Sequence, residues 1–186
     1  MPGDASPDLP RVRLIVTSRY PAPDGVQPGI ALTLAGPTWA QVRTRVANPD
    51  VRAVLPDTDD PAPAGWLLGR LAAALITPPD SASFARIVST YLQQILESLP
   101  EETQDLAHLV LSLLTVTGTG PVLPLVVLQE ALTSLDRPTD IAELRNALVA
   151  LFPLIQRGKP GFTDEHVGLA HEEIKSVLAL TLLDQE

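Results

Sequence analysis

The 186-residue chain contains no cysteine. Disulfides, a thiol nucleophile and cysteine-based zinc sites are thereby excluded. Aromatic residues make up only 4 %, so a core must be built mainly from Leu, Val, Ile and Ala. No apolar run reaches the ~18 residues of a membrane-spanning helix, and no membrane partner is expected. Residues 1–10 are polar and proline-rich, with no basic segment ahead of an apolar one, so no signal peptide is read there. Together these absences fit a cytoplasmic protein. Catalytic signatures are also missing. The three histidines, His108, His166 and His171, show no metalloprotease spacing, and no Gly-x-Ser-x-Gly elbow occurs. Glu101-Glu102 and Glu172-Glu173 are sequence neighbours, so each pair diverges around a helix instead of converging on a substrate. No Gly-x-x-x-x-Gly-Lys-[Ser/Thr] is present; Gly158-Lys159-Pro160 has proline where a hydroxyl must ligate magnesium. No apolar strand ends in paired acids. Phosphoryl transfer lacks its main electrostatic parts, and the chain alone is not expected to be an enzyme.

What is present is apolar and acidic. Hydrophobic residues make up 45 %, and the net charge is −9. That charge is unevenly distributed. Residues 1–80 carry seven Arg against eight Asp, while residues 81–186 carry six Lys/Arg against fourteen Asp/Glu. An acidic C-terminal half is poorly suited to a phosphate backbone, so a nucleic-acid partner is not expected.

The pattern predicts a mainly α fold with a residual α/β strand segment at the N-terminus. Residues 1–10 read as disordered. Val12-Arg13-Leu14-Ile15-Val16-Thr17-Ser18-Arg19 reads as a strand buried on both faces of a sheet. It ends in two hydroxyls and a guanidinium, at the end of an α/β strand where ligands bind. A short strand over 30–34 is possible. Thr38 offers an N-cap for a helix carrying Trp39, Val42 and Val46, which Asn48-Pro49 breaks, with a short helical turn at 50–55. The spacing predicts a helix over 64–76 that buries Trp66, Leu67, Leu68, Leu71, Ala72 and Leu75. Thr77-Pro78-Pro79-Asp80 is the expected linker.

The second part reads as helical. Ser81 or Ser83 caps a helix with Phe84, Ile87, Val88, Tyr91, Leu92, Ile95 and Leu99 inward, stopped by Pro100. A helix over 101–117 is expected to bury Leu106, Leu109, Val110, Leu113 and Leu114, with His108 in its core or at its boundary. Another runs from Pro124 to about Leu135. Thr139 is expected to cap the next, whose buried face is Ile141, Leu144, Leu148 and Leu151. The period then changes to two. Residues 152–157 and 167–171 read as a two-stranded wing around the Gly158–Gly161 turn, before a last helix with Ile174, Val177 and Leu178 inward. Helices followed by a wing is the order of a winged-helix domain. Its reading helix offers one arginine, Arg145, against Asp140 and Glu143, poor equipment for a DNA groove.

The stretch Leu9-Pro10-Arg11-Val12-Arg13-Leu14-Ile15-Val16-Thr17-Ser18-Arg19 resembles the sensor-1 strand of STAND-type P-loop NTPases, the NACHT and NB-ARC relatives of the AAA+ group. Val167-Gly168-Leu169-Ala170-His171-Glu172 resembles their Met-His-Asp segment, with Ala170 for methionine and Glu172 for aspartate. The resemblance implies a truncated NTPase core at 11–36, a helical lid domain at 37–80 and a winged-helix domain at 81–186. It implies nucleotide contact by Thr17, Ser18, Arg19 and His171, with Arg19 at a terminal phosphate and His171 at the β-phosphate of ADP. ATP or ADP would then bind in a complete parent, not to the isolated chain. The expected partner is the missing NTPase core, or another protein docked through an apolar surface. On the residues alone, Arg19 equally caps a turn or pairs with an acid, and His171 equally caps the last helix. Pro63-Ala64-Gly65-Trp66-Leu67-Leu68 falls where the family has a Gly/Pro element near adenine, and reads otherwise as a helix start. The alternatives are a stand-alone helical and winged-helix interaction module without nucleotide, and a DNA-binding regulator.

Overall fold

Proline, asparagine and serine punctuate the chain, and the helices begin and end where they stand. The computed structural model describes residues 35–159 and 164–183; the strand expected at 12–19, with Thr17, Ser18 and Arg19, and the segment 30–34 lie outside them. Thr38 caps α1 (Trp39–Arg45) in a reciprocal capping box with Gln41. Asn48 accepts from the backbone N–H groups of Asp50 and Val51 and caps α2 (Pro49–Val54), with proline in the first turn, where its missing N–H costs nothing. α3 (Trp66–Ala74) starts after Gly65, whose φ of 56° lies in the left-handed region. Ser83 caps α4 (Phe84–Ser98), and Pro100 separates it from α5 (Glu101–Thr117).

The remainder runs β1 (Leu123–Pro124), α6 (Leu125–Ser134), α7 (Ile141–Ala150), β2 (Ile155–Gly158), β3 (His166–Leu169) and α8 (Glu172–Leu183). The architecture is mainly helical with one small antiparallel sheet, ordered β1-β3-β2. In register, Arg157 faces Val167 and Gly158 faces His166, while Leu123 faces Val167 on the other side. β1 was not expected. It has two residues and no alternation, and it exists only because β3 pairs with it. The strand expected at 152–157 begins later, because residues 151–154 form a turn closed by Leu154 N–H on the Leu151 carbonyl.

Gly36–Glu186 forms one unit. Its buried apolar residues make one continuous cluster from Val42 in α1 to Leu178 in α8. Each fully buried Leu or Ile contributes roughly 1.5–3 kcal/mol relative to exposure. α4 buries Phe84, Ile87, Val88, Tyr91, Leu92 and Ile95, the stripe its spacing predicts. On α5 the inward stripe is Leu106, Ala107, Val110, Leu111 and Leu114; Leu109 and Leu113 are half-buried. Trp66 is a correction. It is 44 % exposed, because it lies about 200° around the helix from Leu68. Gln94 ties the link after α3 to α4: its side chain accepts from Ile76 N–H at 2.6 Å and donates to the Ala74 carbonyl at 3.1 Å. Among the described residues no helix is long and apolar enough to cross a membrane.

Candidate functional site

His171 sits where β3 hands over to α8. Its carbonyl accepts from the N–H groups of Ile174 and Lys175, and its Nδ1 accepts from Glu173 N–H at 3.3 Å. His171 therefore caps α8 and is half-buried. An acceptor at Nδ1 leaves the proton of the neutral ring on Nε2, which is then a donor. Of the four expected nucleotide contacts, only His171 falls within the described residues. His108 is half-buried on α5, at the boundary its neighbours suggested.

α7, β2 and the residue before β3 hold a charge cluster that the sequence did not disclose. Glu165, just before β3, receives Arg157 Nε from β2 at 2.6 Å and Arg145 Nε from α7 at 3.3 Å. A guanidinium NH2 of Arg157 binds the same carboxylate oxygen. The Glu165 side chain is only 15 % exposed. Burial pushes its carboxyl up, but the hydrogen bonds and charges of Arg157 and Arg145 outweigh that and hold it below the usual carboxylate range. Leu125 N–H donates to the Glu165 carbonyl, so the start of α6, α7, β2 and the start of β3 meet at one residue. The three charged residues are twelve and eight positions apart, and only the sheet brings them together. The one available signal was an acid at the foot of a strand opposite an arginine of β2.

Beside this cluster lies an open hollow of about 220 Å³, lined by Leu125, Val126, Ile141, Arg145, Lys159, Asp164 and Glu165. It is smaller than the ~300–1,000 Å³ typical of ligand pockets. Among the described residues no group of three His, Asp or Glu side chains is placed to hold a metal. The Pro63–Leu68 run is the start of α3.

A second cluster lies at α3. The Arg45 guanidinium stacks on Trp66 with its central carbon 4.3 Å from the ring centroid, and Arg70 stacks on Phe152 at 4.6 Å. Phe152 is 57 % exposed. The Tyr91 hydroxyl donates to the Phe152 carbonyl at 2.5 Å and anchors that turn to α4. Burial raises the Tyr91 pKa, with the positive charge of Arg70 opposing it.

No family model, curated protein or solved structure matches the chain.

Proposed function

We propose that this chain is the helical and winged-helix arm of a nucleotide-dependent switch of the STAND-type P-loop NTPase class, cytoplasmic and unable to hydrolyse ATP by itself. The observation that carries the reading is the order α5-β1-α6-α7-β2-β3-α8 with sheet order β1-β3-β2, closing on His171. This is the order of a winged helix with the histidine at its base. The cations on its reading helix and wing support the same choice. Arg145 and Arg157 are both paired with the one carboxylate of Glu165, which leaves a single net positive charge in the cluster, little to grip a phosphate backbone, and disfavours a DNA-binding regulator. His171 fits a diphosphate as a single donor: with Nδ1 engaged, Nε2–H remains for a phosphate oxygen. The phosphate cradle and magnesium site would have to come from the missing core. ATP or ADP would supply the state that sets how the arm docks on that core.

Mass spectrometry of the native product tests this reading. A product that contains these peptides together with an upstream Gly-x-x-x-x-Gly-Lys-[Ser/Thr], and that releases ADP faster when His171→Ala is introduced, supports it. A 19.9 kDa product with no affinity for ATP or ADP overturns it. A second reading, an interaction module without nucleotide, is favoured by the exposed Trp66 and Phe152. It predicts a monodisperse chain with a sharp unfolding transition and no binding of a hydrophobic dye.

A further inference from the structure

We propose that the Arg45–Trp66 and Arg70–Phe152 stacks form a docking surface for an acidic polypeptide segment. Trp66 and Arg70 lie one turn apart on α3 and share its outer face. Arg70 carries that face across to Phe152, which Tyr91 holds in place. Val149, one turn before Phe152, is 62 % exposed. The result is a surface of alternating guanidinium and ring with apolar side chains beside it.

How the arginines are held argues for an acidic occupant. Arg43, Arg137, Arg145 and Arg157 each have an acid within 4.0 Å and Arg52 binds the Val46 and Ala47 carbonyls, whereas among the described residues Arg45, Arg70 and Arg86 have no acid, and of these Arg45 and Arg70 lie over rings. A guanidinium held over a ring, its central carbon 4.3–4.6 Å from the centroid here, still has N–H donors to offer an incoming carboxylate. It has already lost much of its rotamer freedom, so a carboxylate that arrives meets an ordered fork. Trp and Arg are the residues that dominate binding energy at protein interfaces. A short acidic segment complements two such arginines. A nucleic acid presents far denser charge to a chain of net −9, whose Arg145 and Arg157 are already paired with Glu165. The inference does not rest on the nucleotide reading and is tested without nucleotide.

A display library of random peptides, about 12 residues long, is panned against the intact chain. Enriched sequences are synthesised and titrated by tryptophan fluorescence. The expected result is enrichment of peptides that combine Asp or Glu with an apolar residue. Their affinity should fall at least about tenfold in an Arg45→Gln/Arg70→Gln double variant with an unchanged melting curve. Lys159→Gln, at the wing, should bind as wild type. The proposal is overturned if nothing enriches, if the enriched peptides carry no acids, or if the double variant binds them undiminished. Tighter binding of an oligo(dT) strand than of any acidic peptide at the same residues also overturns it.

Discussion

Two regions of the described fold use arginine in opposite ways. Around the sheet, Arg145 and Arg157 converge on Glu165 and join α7, β2 and the start of β3. Around α3, Arg45 and Arg70 lie on aromatic rings and have no acid among the described residues. The first arrangement pairs its arginines with an acid of the fold and is structural. The second leaves its guanidiniums exposed and, among the described residues, without an acid, at little gain in stability, since exposed stacks of this kind contribute about 0.5–1 kcal/mol each. An arginine's partner, more than its exposure, separates the part that holds the fold from the part that offers a contact. If the comparison is right, substitutions at the sheet end should unfold the protein, and those at the α3 end should leave it folded.

The largest effect is expected at Gly168. It lies in β3 directly against the 118–120 turn, where Gly120 N–H donates to the Leu169 carbonyl at 2.8 Å. A Cβ on Gly168 would overlap the Gly120 carbonyl oxygen, which is backbone and cannot rotate away. Gly168→Ala should therefore lower stability by about 3 kcal/mol or more, measured by urea unfolding. A loss under about 1 kcal/mol would mean that the strand and turn are free to separate, and that the sheet end is not the rigid one.

Glu165→Gln comes next, with an expected loss of about 1–2 kcal/mol at neutral pH. The pH dependence sharpens it. The folded carboxyl lies below its unfolded value of about 4.3. Its stabilisation is thus fully present above that pH and is lost as pH falls through the folded value. Wild type and Glu165→Gln should differ at pH 7 and converge as the pH falls through the folded value. A gap that stays constant from pH 7 to pH 3 would show that packing, not charge, explains the loss.

Much of the helical part of this fold was legible in the sequence. Pro49, Pro100 and Ser83 end or start helices where their chemistry requires, and the α4 stripe repeats every three or four residues as its burial does. The misreadings were local competitions and long-range effects. Asp140, not Thr139, caps α7: its carboxylate accepts from Ala142 and Glu143 N–H at 2.8 Å, while the Thr139 hydroxyl turns back to the Arg137 carbonyl. β1 and the Glu165 cluster depend on pairing with β3, and no spacing along the chain encodes that. Trp66 does not belong to the buried face that the spacing over 64–76 predicts. The i, i+3, i+4 rule anchored on Leu68, Leu71, Ala72 and Leu75 already turns it outward. Its partner Arg45 lies on another helix and could not be read from spacing.

The smallest effects belong to α3. Gly69 faces Val42, and a Cβ there would meet Val42 and the Trp66 ring at 3.7–3.9 Å, ordinary van der Waals distances. Gly69→Ala should therefore stabilise by about 0.5–1 kcal/mol, because it adds helix propensity without a clash. The gain would appear as a higher thermal midpoint. Arg70→Gln should do almost nothing to that midpoint: the stack with Phe152 is exposed, and the turn remains anchored by the Tyr91 hydroxyl. A drop of more than about 1 kcal/mol in Arg70→Gln would mean that Arg70 holds the 150–153 turn onto α3. The α3 end would then be as structural as the sheet, and the contrast between the two groups of arginines would disappear.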